Sequence, residues 1–191
     1  MNAVASNDHS AGVSMSVTFR AATLADAASL AAFARRAFID TYAADNRPED
    51  IEAYVSTHFN IEQMSRDIAV PDQLFLLAEI DHAIAGYALL REGLPPACVN
   101  ASQPIEIGRF YVDRQWKGQG LAAQLMSAVR TRARLRSANA IWLGVWERNP
   151  RAIAFYRKQG FAVQGEMTFR LGADTQRDQV MVHWLDTPSA P

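Results

Sequence analysis

The sequence predicts one α+β/α domain, a sheet flanked by helices, and three stretches carry that prediction. In Ile105–Gly120, IEIGRFYVDRQWKGQG, a run of β-formers ends at Val112. It passes through a polar turn and two glycines into an amphipathic run starting at Leu121, which reads as strand, glycine loop, helix. Leu74–Ile80 and Ala83–Arg91 read as strands joined by Asp81-His82, a two-residue hairpin connection. Ala140–Trp146 is apolar on both faces, as a central strand should be, and a helix and two more strands follow it. A chain of 191 residues suits a single domain with enough length to bury a core. No internal repeat and no second domain is visible.

In chain order, residues 1–16 are small and polar and are expected to be a disordered extension, with Met15 a second candidate start and His9 inert. The folded domain is expected over 17–186, with 187–191 a tail. Val17–Arg20 is a short first strand. Thr23 and Asp26 form a capping-box variant before a helix whose apolar stripe is Leu30, Phe33, Ala34, Ala37 and Phe38. Asn46 and Pro48 stop it, and Pro48 opens a second helix. Asn60 caps a third, through about Ala69. Glu92–Gln103, with Pro95 and Pro96, is a loop. The helix after the glycines runs to about Ser137, with Leu121, Leu125, Ala128 and Val129 inward and the arginines at 130, 132, 134 and 136 on a solvated face. Asn149 is a good N-cap with Pro150 at the first helical position, and Gly160 closes that helix. Phe161–Arg170 and Gln179–Leu185 are the last strands, joined by Leu171–Asp178.

Composition narrows the function. Hydrophobic content of 49% and charged content of 20% fit a soluble globular protein, and a net charge of −1 leaves no nucleic-acid footprint. Cys98 is alone, so no intrachain disulfide forms, in keeping with a reducing compartment. No run approaches the ~18–20 apolar residues of a membrane span. The N-terminus lacks the basic and apolar regions of a signal peptide, so the expected location is cytoplasmic. No cluster of His, Cys and acidic residues has ligand spacing, so no metal is expected.

The chemistry starts at the glycine loop. Glycines let backbone N–H groups approach a ligand, and a helix N-terminus favours an anion. A phosphate or pyrophosphate is the natural guest, with Lys117 adding charge. Walker A is absent. Gly118-Gln119-Gly120-Leu121-Ala122-Ala123 fits GxGxxA, but the acidic ribose partner about 20 residues on is missing. An ordinary strand-to-helix turn with no ligand is the alternative.

A second segment, NPRAIAFYRKQGF at 149–161, follows the strand IWLGVWE. Together, Gln115-Trp116-Lys117-Gly118-Gln119-Gly120 and the run Asn149, Ala152, Phe155, Tyr156, Gly160, Phe161 resemble the two signature elements of the GNAT family of acyl-CoA-dependent N-acetyltransferases. The resemblance covers roughly Val17 to Leu185. Its C-terminal third, through LGADTQRDQVMV, looks like the PaiA-type polyamine N-acetyltransferases. It implies a mixed, mostly antiparallel sheet of about seven strands. It also implies acetyl-CoA as co-substrate and a small-molecule amine acceptor, with homodimerisation left open. A peptide or lysine acceptor, a non-catalytic acyl-CoA sensor and a nucleotide-dependent oxidoreductase are the alternatives.

The resemblance also implies site residues. The backbone of Phe110, Tyr111 and Val112 would pair with pantetheine, and residues 115–120 with Leu121 and Ala122 would hold the pyrophosphate. Asn149, Ala152, Tyr156 and Lys158 would line the cofactor. Tyr156 is the expected general acid toward the leaving thiolate, a phenol of pKa ≈ 10 against a thiol near 8.5. Glu106, a lone carboxylate in an apolar strand, is the expected base. Simple alternation puts it on one face with Gly108, Phe110 and Val112; an ion pair with Arg109 or another base is its bland reading. Asp45, Glu49, Asp50 and Glu52 are either favourable charge at a helix start or a cation-attracting wall beside the acceptor. Tyr42, Trp146 and His183 read as packing.

Overall fold

The computed structural model describes residues 16–185; the expected extension through residue 15 and the tail at 187–191 lie outside the described residues. Seven strands form one sheet: β1 (Thr18–Ala21), β2 (Gln73–Ile80), β3 (Ala83–Glu92), β4 (Pro104–Val112), β5 (Ala140–Trp146), β6 (Ala162–Leu171) and β7 (Asp174–Trp184). Their order is β1-β2-β3-β4-β5-β7-β6, antiparallel except for the central β4–β5 pair. Helices α1 (Ala27–Tyr42), α2 (Pro48–His58) and α3 (Ile61–Ala69) precede β2; α4 (Leu121–Leu135) and α5 (Pro150–Lys158) flank β5 in sequence.

The sheet separates two main cores, and a third, smaller cluster joins Val99 to Ala140, Trp142, Val180 and Val182. On one face Leu121, Leu125, Met126 and Val129 of α4 pack with Ile153 and Tyr156 of α5 against Leu76, Leu90, Ile107 and Val145. On the other, Leu30, Phe33, Ala34 and Phe38 of α1, Val55 of α2 and Met64 of α3 cover Phe75, Leu77, Tyr87 and Leu89. Local chemistry sets the helix ends. Asp26 accepts from the Thr23 amide and hydroxyl, Asn60 Oδ1 accepts from the Gln63 amide, and Asn149 Oδ1 accepts from the Ala152 amide. Asp81 and His82 both have positive φ (50° and 62°), as a type I′ connection requires.

Three expectations are corrected. The β6–β7 connection is not an eight-residue loop: β7 begins at Asp174, and the ribbon turns at Gly172-Ala173. Its outer half, DTQRD, is polar because most of it faces solvent, which hides the strand period. Next, β4 does not alternate evenly. Arg109 pairs with Leu89 and Ile107 with Leu90, so Gly108 is an extra residue, a bulge. The bulge resets the phase. Ile105, Ile107, Phe110 and Val112 face the α4–α5 core, whereas Tyr111 faces the α1–α3 side and Arg109 reaches Phe59 there. Glu106, out of phase with Ile105 and Ile107, shares that second face. Finally, Arg130 is not merely solvated; it donates to the carbonyl of Gln159 and so ties α4 to the end of α5.

The acidic wall is not present as such. Asp50 is buried (4% exposed) and accepts from the Ala173 amide at 2.8 Å, with Arg47 beside it at 2.8 Å. Glu49 and Glu52 face Arg47 and Arg35, and none of the four acids lines a major cavity. Asp50 thus clamps α2 to the β6–β7 turn. Asp50→Ala leaves that amide unpaired, and its thermal midpoint, followed by circular dichroism, is expected several degrees below wild type. Asp45→Asn, at an exposed position, leaves the midpoint unchanged.

Candidate active site

The parallel pairing of β4 with β5 stops early. Pro104, Ile105 and Glu106 face Ala140, Ile141 and Trp142, and beyond them the strands diverge. Each stays paired on its outer edge, β4 to β3 and β5 to β7. The inner edge of Ile107–Val112 therefore offers unpaired backbone N–H and C=O groups in the middle of a sheet. A cavity of about 470 Å³ occupies this split, walled by Ile107–Val112, Gly144, Val145, the glycine loop and the start of α5.

The glycine loop closes one end. Gly118 and Gly120 have φ of +84° and +83°, and Gly120 is the N-cap of α4. An added Cβ meets no atom within 4 Å at either position, so their requirement is conformational, and both border open space. Among the described residues the amides of Gly118, Gly120, Leu121 and Ala122 donate to no protein group. Four orphan donors at the positive end of a 15-residue helix form an anion seat. The charged side chains on this cavity are Arg109, Lys117, Arg151 and Lys158, with no carboxylate among them. A long polyanion with an extended amide-bearing arm fits all three features, and CoA is such a molecule. Gln115 and Gln119 stand behind the loop, where the Gln119 side chain donates to the Gln115 carbonyl, and Leu121 is core. None of those three lines the cavity.

Tyr156 lies on the cavity wall, held by Phe110, Phe155 and Phe161 at centroid distances of 6.2, 5.4 and 5.7 Å. Burial first, and the nearby Tyr42 second, push its phenol above the ordinary value, so it keeps its proton across the neutral range. Tyr42, from the end of α1, borders the same cavity and is pushed up to about 12, chiefly by burial. The sequence ranked it as packing; nothing in a helix C-terminal aromatic distinguishes the two roles.

A second cavity, of about 170 Å³, opens on the α1–α3 side of the same split. Tyr42, Ile107, Gly108, Arg109, Tyr111 and Gly144 border both. Its wall is aromatic, with Phe38, Tyr54, Phe59, Trp146 and Phe169, and it holds four charged side chains, Arg91, Glu106, Arg109 and Asp178. Glu106 is paired with Arg91 at 2.8 Å, and Arg109 lies over Phe59 with Asp67 at 3.5 Å. Asp178 was missed because the sequence reading ended a loop there. Strand parity with Val180 and Val182 would have turned it inward. His183 sits away from both cavities, against the Gly160 carbonyl and Phe161.

The profile of the Acetyltransferase (GNAT) family matches residues 31–161. An uncharacterized N-acetyltransferase of Mycobacterium tuberculosis is 35% identical over 162 residues, 85% of this chain and 99% of its own length. The spermine/spermidine N(1)-acetyltransferase of Bacillus subtilis is 31% identical over 71 residues, 37% of this chain and 47% of its own. Among solved structures, PaiA N-acetyltransferase from Thermoplasma acidophilum, in complex with coenzyme A, has a TM-score of 0.73 at 22% identity. That match covers 90% of this chain and 100% of the PaiA chain. The chain belongs to the GNAT acetyltransferase family. It is an N-acetyltransferase, and acetyl-CoA is its co-substrate.

The loop geometry yields a direct test. A β-branched residue is strained at φ +83° and obstructs the seat. Gly120→Val is expected to weaken CoA binding tenfold or more by calorimetry, about 1.4 kcal/mol, with an unchanged circular dichroism spectrum.

Proposed function

We propose that this protein transfers the acetyl group of acetyl-CoA directly to the primary amine of a small molecule, without an acyl-enzyme. The observation that carries this reading is the split between β4 and β5. It joins a cation-lined cavity on one face of the sheet to an aromatic cavity with carboxylates on the other. Acetyl-CoA supplies a thioester carbonyl, and the split is where an amine from the opposite side meets it. Tyr156, protonated and fixed by three aromatic rings, gives its proton to the departing thiolate. The unpaired edge of Phe110–Val112 holds the pantetheine arm, and the free amides of Gly118, Gly120, Leu121 and Ala122 hold the pyrophosphate. The amine's own proton goes to a carboxylate on the acceptor side; Glu106, the base the sequence singled out, is already paired there with Arg91.

Two acceptor classes are proposed. A spermidine-type polyamine is supported by the Bacillus subtilis relative over the segment it shares. The cavity itself favours an amine on an apolar stem. Seven of its seventeen lining residues are aromatic, which gives a ring or an alkyl stem a surface to pack on, whereas one carboxylate there without a paired arginine suits a single ammonium better than a chain of them. CoA release measured with spermidine, spermine, 2-phenylethylamine and a peptide amine separates these. Turnover of the arylalkylamine above both polyamines is expected. No release with any amine would return the chain to an acyl-CoA-binding role.

The acid role has its own test. Tyr156→Phe keeps the ring and removes the proton, so kcat is expected to fall about 10²-fold or more with KM for acetyl-CoA little changed. A variant with more than about half the wild-type kcat would leave Tyr156 a packing residue.

A further inference from the structure

We propose that Asp178 is the residue that docks the acceptor's ammonium group and takes its proton before attack. The proposal rests on the transferase reading above and names the part of that site no sequence motif marks. Asp178 borders the acceptor-side cavity and is 9% exposed. Its Oδ1 is buried with no hydrogen-bond partner, and among the described residues no cation pairs with the carboxylate. The other carboxylate on this wall, Glu106, already holds Arg91. A buried carboxylate without a counter-charge is costly, and the structure supplies none. An incoming ammonium does.

Position supports the same role. Asp178 stands opposite Trp146 on β5 and Met167 on β6. A Cβ built on Gly144 would lie 3.2 Å from Asp178 Oδ2 and 3.0 Å from Met167 Sδ. Gly144 is exposed in a strand whose six other residues are buried, and it borders both cavities. The missing side chain therefore leaves free space between the carboxylate and the junction where the two substrates meet.

The charged and titratable groups facing Asp178 come from every side. They are Tyr42 of α1, Tyr54 of α2, Arg91 of β3, Glu106 and Arg109 of β4, and Glu147 after β5. Arg91 and Arg109 are held by Glu106 and Asp67. Burial first, then the Glu147 charge, pushes the Asp178 carboxyl up to about 6. It is thus mostly ionised at neutral pH yet far more basic than an ordinary aspartate, a good match for proton transfer.

The protons balance. One ammonium proton passes to Asp178, and the nitrogen lone pair forms the C–N bond as the C–S bond breaks. The thiolate takes the Tyr156 proton. The second nitrogen proton, lost once the amide forms, restores the phenol, and Asp178 returns its proton to water.

The test uses the full chain saturated with CoA. Calorimetry with 2-phenylethylamine, spermidine and the uncharged 2-phenylethanol should show at least one amine bound tenfold or more tighter than the alcohol. Asp178→Asn should abolish that difference, and Glu106→Gln should retain it. In wild type, carbon-13 NMR of the aspartate carboxyls should place the Asp178 titration near pH 6 and move it lower when the amine binds, a readout that needs no variant to fold. In turnover, the ascending limb of kcat/KM near that pH should vanish in Asp178→Asn and persist in Glu106→Gln. Absence of any amine binding to wild type, an unmoved Asp178 titration, or loss of the limb in Glu106→Gln alone overturns the proposal. Amine binding without CoA release would instead sink the transferase reading and leave the docking role standing.

Discussion

The site depends on a sheet that is pulled open at its centre. Hydrogen-bonding groups within a sheet are normally paired, and leaving a buried one unpaired costs about 1–3 kcal/mol. Here β4 and β5 pair over three residues and then part, leaving backbone edges without partners across the middle of the molecule. The outer strands make this tolerable. β4 keeps its ladder to β3 and β5 its ladder to β7, so each strand stays hydrogen-bonded on its outer edge where the two part. An extended ligand that offers its own amides completes the missing ladder. The affinity for such a ligand is therefore built into the topology before any side chain is considered.

The bulge at Gly108 converts that opening into a two-sided device. Were the strand to alternate evenly through Gly108, Glu106 would share a face with Phe110 and lie opposite Arg109. With the extra residue, apolar residues remain on the α4–α5 face on both sides of the bulge, while Glu106 and Arg109 reach the α1–α3 face. A Cβ there would lie 2.6 Å from the Arg91 guanidinium, so a side chain at this position would displace the arginine that pairs with Glu106. One backbone irregularity thus separates the polyanion side from the acceptor side and also packs the ion pair that borders the second.

What was legible in the sequence follows from the range of the signals. Caps, glycines and hydrophobic periods act over three to four residues, and they located every helix and six of the strands within a few positions. The glycine loop and the Asn149–Phe161 element were legible as structure because that structure is local: orphan amides at one helix start, and an aromatic on one short helix. The bulge was not readable, because it exists only in the register between β3 and β4. The outer half of β7 was not readable either, since a solvent-facing ribbon lacks an apolar period. Those two failures share a consequence. Together they hid that Asp178 turns inward and that Glu106 lies opposite Phe110, so the only acids read as a possible acceptor wall were those clustered at 45–52. Clustered charge is visible in a sequence; an absent counter-charge is visible only in three dimensions.

The two cavities divide the electrostatic work by sign. The CoA side carries cations, orphan amides and no carboxylate on its wall. The acceptor side carries two arginines that are already engaged and one carboxylate that is not. A neutral amine is the nucleophile, but an ammonium is what solution offers at neutral pH. A site that attracts the cation must then remove its charge next to the thioester. A fully solvated carboxylate, with pKa near 3.9, attracts the cation and is a poor proton acceptor. A carboxylate buried in an apolar wall, with its pKa raised by desolvation, serves both ends better. The burial that makes an unpaired acid expensive in the empty protein is the same burial that makes it useful when the amine arrives. A contribution to folding stability is thereby exchanged for a proton acceptor of the right strength.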